Sequence, residues 1–532
     1  MNWAQNLILV PVLLPLLCGA LLVLINETRH QLKFAINMVS VLLMLASAVA
    51  LLLLADGATW DGNIGVYLAG NWMAPFGIAL VVDRLAALML VMTATMGAIA
   101  LLYSVLRWSR IGVHFHSLFQ FLLMGLNGAF LTHDLFNLFV FFEVMLAASY
   151  GLLLHGYNLS RIRAGMQFIA VNLVASLLFL IGVALIYAAA GTLNMADLAA
   201  RLEGLDPDDL MLLKIGASVL AIAFLIKSAM WPLGFWLPTT YSAASPPVAA
   251  MLVLMTKVGV YVLLRLWLLL FGEDGAEPGF GFDVLYWGGM FTLFFGAAGM
   301  LATDQHGRLA GYAAIVSSGT LLALLGLNQP QLLASALYYL VSSTLAVAAY
   351  LLLIELLERS RNPLEAMLAI TKEAFDFEEA PDQPVGVGIP GALAFVGLAF
   401  FVCAVIIAGL PPLSGFIAKF SLLHGLLAGP GLGLNGWLFG VLLLVAGFAA
   451  IISLMRNGVR TLWASDAKPA KLQPSEVAAV SLFLLLSVVI TVKAGPAIDF
   501  LQRASTDLQQ PGNYIERVLN APVLPGVAEK TP

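Results

Sequence analysis

Lys227-Ser-Ala-Met-Trp-Pro-Leu-Gly-Phe-Trp-Leu-Pro238 closes an apolar run that begins near residue 210. The run has the length of a bilayer crossing. Pro232 and Pro238 interrupt it, and a lysine stands inside it. Non-helical backbone at membrane depth is tolerated only where it is buried in protein or lines a wet cavity. The stretch therefore predicts an interrupted membrane helix over 210–237, built around a buried cation.

The rest of the chain reads the same way. Charged residues are 10% of the sequence, against roughly 25% in soluble domains. The hydrophobic fraction is 61% and the mean hydropathy is +0.96. So few charges cannot cover a water-soluble surface. Successive apolar runs, without the alternating polarity of a barrel, predict an all-α polytopic protein of about fourteen transmembrane helices. They fall near 7–25, 32–55, 79–106, 115–131, 134–154, 164–190, 210–237, 246–271, 284–302, 309–326, 331–356, 390–427, 436–455 and 476–494. The first run lacks a basic leader and is too long for a signal peptide, so it reads as a retained helix. The 390–427 segment is too long for one straight crossing and holds Gly409-Leu-Pro411-Pro412, a second break.

Lysine and arginine mark the sides. With the N-terminus outside, fourteen of the 25 lie in inside loops and three in outside loops. Both termini then sit on the outer side. Residues 57–78 predict an outer hairpin, and residues 357–389 an acidic inside loop able to hold a lateral amphipathic helix. Residues 1–494 read as one membrane domain, and 495–532 as an amphipathic segment and loose tail. Lysines beside prolines recur in two segments in reversed order, Lys227 before Pro232 and Pro238, and Lys419 after Pro411 and Pro412. That pattern predicts two inverted repeats, about 115–271 and 284–455, with discontinuous seventh and twelfth helices.

Four charges stand where charges are costly. Glu143 and Lys257 sit near helix centres, Lys227 is read as central to its helix, and Lys419 follows the second break. Each costs about 2.5–3.5 kcal/mol at a helix centre on insertion scales. Burial favours the neutral form of either group, and an opposite charge favours the ionised form. Glu143 and Lys227 are therefore either a fixed ion pair or a proton site whose partner moves. Lys257 and Lys419 have no obvious acidic partner. Together the four predict a proton or cation path along the membrane midplane.

Other residues carry weaker signals. His306 borders an inside loop and His424 an outer helix end, so both are candidates for proton access. Arg265 is placed to snorkel. His133 and Asp134 read as outer surface, and His30, His114, His116 and His155 as interfacial. Cys18 and Cys403 have no ligand-spaced neighbours. No phosphate loop, metal-ligand spacing or nucleophile triad is present, so neither cofactor nor metal is expected. A net charge of −5 gives no footing for nucleic acid.

Four stretches carry a resemblance. Lys227–Pro238 is similar to the broken-helix signature of antiporter-like membrane subunits. So is Ser242-Ala-Ala-Ser-Pro-Pro-Val-Ala-Ala250, running on to Thr256-Lys257-Val258-Gly259. Gly409-Leu-Pro-Pro-Leu-Ser-Gly-Phe-Ile-Ala-Lys419-Phe420 resembles the second signature, and Asn71-Trp-Met-Ala-Pro-Phe-Gly-Ile-Ala-Leu-Val-Val-Asp83 the family's outer hairpin. The chain resembles the multisubunit Mrp (Pha, Mnh) monovalent cation/proton antiporters, in their D subunit, and more distantly the membrane subunits of respiratory complex I. Phe142 before Glu143, where complex I subunits usually have Trp, favours the first. The resemblance implies a bacterial cytoplasmic membrane and partner subunits of the A, B, C, E, F and G types. It also implies proton and Na+ or K+ transport, with Glu143, Lys227, Lys257 and Lys419 as the proton chain. Many relatives carry a His and a Lys where this chain has Ser342 and Val347, which moves the second-half relay to water held near Tyr338, Tyr339, Ser342, Ser343 and Thr344. A pumping subunit of complex I or of a membrane-bound hydrogenase is the alternative, and a non-conducting scaffold is a third.

Overall fold

The computed structural model describes residues 3–57, 60–156, 158–273, 277–359, 390–429, 433–462 and 471–523. The expected lateral helix in 357–389, beyond residue 359, lies outside them, as does the end of the tail. Helices α1 (Val10–Leu24) and α2 (His30–Asp56) precede a hairpin. Its strands β1 (Gly65–Leu68) and β2 (Ala79–Val82) are antiparallel, with Gly65 opposite Val82 and Leu68 opposite Ala79. Then come α3 (Arg84–Ser104), α4 (Phe115–Leu131), α5 (Leu135–Leu154), α6 (Leu159–Ala190) and a short α7 (Met195–Arg201). The first broken helix is α8 (Pro207–Lys227) with α9 (Leu237–Ala243), followed by α10 (Pro246–Phe271), α11 (Phe282–Ala302), α12 (His306–Leu327) and α13 (Pro330–Arg359). The second is α14 (Gly391–Ala408) with α15 (Ser414–Ala428). The described chain ends with α16 (Leu434–Leu462), α17 (Pro474–Val492), α18 (Ala494–Gln509) and α19 (Pro511–Leu519).

Among the described residues, twelve helices are long and apolar enough to cross a membrane; α1, α4 and α15 are shorter apolar ones. With α1 and α4 added to the twelve, and α15 taken together with α14 as one interrupted segment, the described residues hold fourteen apolar segments, the number the sequence predicts. The hairpin extends further than expected. Residues 79–82 are strand, and α3 starts only at Arg84, where the Asp83 side chain caps it by accepting from Ala86 N at 2.8 Å.

Lipid gives helices little hydrophobic reason to associate, so close packing must hold them. Glycines provide it between α11 and α12. A Cβ on Gly289 would lie 2.3 Å from Ala323 N, one on Gly319 2.5 Å from Leu293 N, and one on Gly326 2.1 Å from Tyr286 N. Backbone therefore meets backbone along this pair. Helix α10 is the axis of the bundle, with its whole apolar window buried. Lys257 sits at its middle.

The two breaks differ from a simple proline kink. Helix α8 ends at Lys227 itself, and Ala229 adopts a positive φ of 58° before Pro232 is reached. Lys227 is thus the last residue of a half-helix rather than the centre of a long one. Pro238 starts the second half, in the first turn of α9. In the other break, α14 stops at Gly409 with φ of 80°, and Pro411 and Pro412 lie in the gap before α15.

Charge pairs gather at the two ends of the bundle. At one end Glu355 accepts from Arg107, Arg359 and Trp108, and Arg359 also reaches Glu476 at 2.7 Å. This is the end of the basic loops. At the hairpin end Arg84 bonds Asp56 at 2.8 Å and Asp507 at 2.6 Å, while Arg503 holds Asp56 with two bonds. Asp507 and Arg503 belong to α18, and Asn513 of α19 bonds Gly62 O at 3.1 Å. Residues 494–519, where the sequence predicts an amphipathic segment, are therefore a docked pair of helices. Arg265 does not snorkel. It is buried and holds both oxygens of Asp83, at 2.9 and 2.8 Å. His133 is buried, so its surface reading is corrected; His116 and His155 are buried too, at the helix ends where the sequence placed them.

Candidate proton-relay site

Lys227 and Glu143 are brought near one another by α8 and α5, but a third helix stands between them. The Lys227 Nζ donates to Asn172 Oδ1 at 2.7 Å. One turn along α6, the Ser176 hydroxyl donates to the Glu143 carboxylate. Residues four apart lie on one helix face, so α6 presents an amide to the lysine and a hydroxyl to the glutamate. Among the described residues the two charges form no direct ion pair. In place of a fixed ion pair, one of the two readings the sequence left open, there is a two-residue bridge. Lys227 also lies 5.7 Å from the Phe142 ring centre. Lys227 is buried, whereas Glu143 is only half-buried within the chain.

Lys257 finds a hydroxyl rather than an acid. Its Nζ donates to Ser317 Oγ at 2.6 Å, and Ser317 Oγ shares a hydrogen bond with Ser343 Oγ at 2.8 Å. Both serines line a cavity of about 30 Å³ that also reaches Lys419, Ser342 and Tyr339. That volume exceeds the ~10–15 Å³ a water needs. Ser342 donates onward to Ser414 Oγ at 2.9 Å, at the start of α15. Val347 lines the same cavity, which places the small apolar residue in the space where the resemblance expects a lysine. Thr344 turns away and bonds its own helix at Leu340 O.

Lys419 satisfies itself on the break. Its Nζ donates to Ala408 O at 2.8 Å and Ile407 O at 3.4 Å, the last carbonyls of α14. A helix C-terminus is a favourable place for a cation. The break thus supplies what a buried ammonium needs without a carboxylate. Hydroxyls can pass a proton along with water, because each both donates and accepts; the Asn172 amide oxygen and the freed carbonyls only accept, and so hold the ammonium in place.

The two access candidates part ways. His306 is buried at the start of α12, with Nδ1 at 2.8 Å from Tyr350 OH and Nε2 at 2.8 Å from Thr461 Oγ1. It borders the loop before α12, as the sequence placed it, but is itself enclosed. His424 is exposed on the rim of a groove of about 500 Å³ at the hairpin end, with Ser335, Ser421 and Gln502. Three residues that complete the site escaped the sequence reading: Asn172, Ser176 and Ser317. The first two were visible as polar residues four apart in the otherwise apolar stretch 168–186 of α6. Their partners were not.

Comparison with known proteins gives the family. The family model described as "NADH:quinone oxidoreductase/Mrp antiporter, TM" matches residues 132–375, which span both Lys227 and Lys257. A chain of Rhizobium meliloti, named as the D subunit of a probable K(+)/H(+) antiporter, is 52% identical over 98% of this chain and 99% of its own length. This chain belongs to the Mrp-type antiporter D-subunit family. The D subunit of the Na(+)/H(+) antiporter of Alkalihalophilus pseudofirmus is another member, 31% identical over 97% of this chain and 99% of its own length. Among solved structures, a chain of the Mrp complex from Dietzia sp. DQ12-45-1b superposes with a TM-score of 0.81 at 25% identity, covering 98% of this chain and all of that one. The D-subunit fold is therefore a multi-pass helical membrane fold with two interrupted helices, as the sequence signatures implied.

Proposed function

We propose that this chain is the proton-translocating subunit of a multisubunit K+ or Na+/H+ antiporter, a secondary transporter component rather than an enzyme. It sits in a bacterial cytoplasmic membrane with both termini outside, assembled with A, B, C, E, F and G types of subunit. Two inverted repeats, about 115–271 and 284–455, each contribute a broken helix. Protons reach Lys227, pass Lys257, and leave by Lys419, with His424 near the outlet and His306 tuning the opposite end of the second half. The observation that carries this reading is the Lys257–Ser317–Ser343 chain, which ends in the same small cavity as Lys419. The antiporter reading rests on the named relatives, and the 52% identical chain makes K+ the first cation to test.

Glu143 supports coupling to a neighbour. It is half-buried in a stretch of α5 whose Phe136 and Val140 are exposed, beside exposed Leu173 and Leu177 of α6. A carboxylate facing hydrocarbon there would be costly, so a partner subunit is expected to cover it. Motion of that partner would then shift Ser176, Asn172 and Lys227.

The test uses inverted vesicles carrying the whole complex. They are energised, K+ or Na+ is added, and a fluorescent pH probe follows the proton gradient. Dequenching is expected in wild type and its loss in Glu143→Gln, with the complex still assembled. Transport untouched by Glu143→Gln would refute the relay. No response to either cation in wild type would favour a redox-driven pump.

A further inference from the structure

The relay as described has no way in from the basic end. A vestibule of about 370 Å³ opens there, walled by Arg107, Arg161, Glu355 and Arg359 and floored by Tyr241 and Ala249. Tyr241 also lines a second, closed cavity of about 10 Å³ that holds Lys227, Asn172, Leu252 and Thr256. One side chain is thus shared by the outer chamber and the lysine chamber. One face of α10 runs through both: Ala249 in the vestibule, then Leu252 and Thr256 inside. The spacing of three and four residues keeps them in line, and Lys257 follows directly.

Tyr241 is held as a plug. It is 1% exposed, and its hydroxyl donates to Leu252 O at 2.7 Å. Its helix α9 is clamped on one side by α12, where a Cβ on Gly311 would lie 2.6 Å from Pro238 Cα. On the other side Arg161 Nε bonds Ala243 O at 2.9 Å, tying the end of α9 to α6. The ring hangs from a short, pinned half-helix, so a rotation of one side chain joins the two chambers without moving the bundle. Releasing the hydroxyl gives up its bond to Leu252 O and its contact with the Thr256 hydroxyl, a net ~0.5–1.5 kcal/mol for each hydrogen bond.

We propose that the Arg107–Arg161–Arg359 vestibule is the proton inlet to Lys227 and that the Tyr241 ring is the plug that separates them. This rests on the relay reading for its purpose, but the path itself is testable without transport. Water in the vestibule delivers a proton to the Lys227 amine when the ring stands aside. When the ring is seated, Tyr241 stands between the vestibule and a lysine chamber of about 10 Å³, at the lower limit of the ~10–15 Å³ that one water needs.

The experiment places a thiol inside the closed chamber as Thr256→Cys, after Cys18 and Cys403 are replaced by serine and alanine. The assembled complex is labelled in sealed vesicles of each orientation, without any gradient, by a membrane-impermeant anionic methanethiosulfonate. In the Tyr241 and Tyr241→Phe backgrounds labelling is slow. In Tyr241→Ala it is faster by about tenfold or more, a change of ~1.4 kcal/mol in barrier, and only from the face bearing Arg107, Arg161 and Arg359. Equal rates in the Ala and Phe backgrounds, or faster labelling from the hairpin face, would overturn the inlet. If labelling follows the expectation while Glu143→Gln still transports, the inlet stands as a water path and the relay reading fails.

Discussion

Lys227 and Glu143 meet through neutral side chains, and that decides which substitution hurts most. Asn172→Leu takes the amide acceptor from the buried Lys227 ammonium, and a buried polar group left unpaired costs about 1–3 kcal/mol, more when charged. Cation-stimulated dequenching should fall by about tenfold or more, since ~1.4 kcal/mol is tenfold in rate. Ser176→Ala should cost less, because the half-buried Glu143 can draw on other donors. The reverse order of severity, in the same vesicle assay, would contradict the bridge. At Ser317 the test is the hydroxyl. Ser317→Ala breaks the Lys257–Ser343 link and should slow transport, and Ser317→Thr should restore it. Equal rates for Ala and Thr would show that the side chain only fills space. The lysines themselves were legible in the sequence because charge in an apolar run is conspicuous. Asn172 and Ser317 were harder to read, because a polar residue in a membrane helix more often bonds its own backbone, as Thr344 does.

The second broken helix is the element on which Lys419 depends. Helices α14 and α15 cross at Gly415, where a Cβ would lie 1.9 Å from Ile406 O. Backbone cannot yield as a flexible side chain can, and overpacking of this kind costs about 1–3 kcal/mol. Gly415→Ala should lower the melting temperature of the purified complex or release this chain from it. Gly397→Ala in α14 is the control, since among the described residues its Cβ meets only Leu462, at 3.9 Å, and it should melt like wild type. The prolines announced both breaks in the sequence but misplaced the first by several residues. The α8 terminus is set by the turn at Ser228–Ala229, with Ala229 in the left-handed region, and nothing in an Ala-Met pair signals that locally.

Across the whole molecule, the C-terminal helices fasten the hairpin end. Arg84 links Asp56 of α2 to Asp507 of α18, and its side chain is only 7% exposed. A charge so enclosed matters more than an exposed surface pair, which is worth about 0–1 kcal/mol. Arg84→Gln should loosen α18 and α19, so that trypsin cuts the detergent-solubilised complex faster at Arg503 and Arg517. Unchanged cleavage would mean that packing of Leu501, Leu508 and Val518 holds these helices by itself. The amphipathic pattern was visible from residue 495 onward, but its docking partner lies more than four hundred residues away in the chain.

By itself the sequence determined the membrane class, the apolar segments, the two breaks and the four charges set within them. These follow from local chemistry: apolar length sets a crossing, proline denies a helical hydrogen bond, and a charge in lipid demands a reason. The tertiary structure alone decided what each charge touches. Asn172 and Ser317 lie 55 and 60 residues from the lysines they serve, and Tyr241 stands between two chambers only because α9 is pinned against α12 and α6. Such pairings depend on helix register and rotation about the axis, which hydropathy leaves undetermined and which side-chain packing fixes.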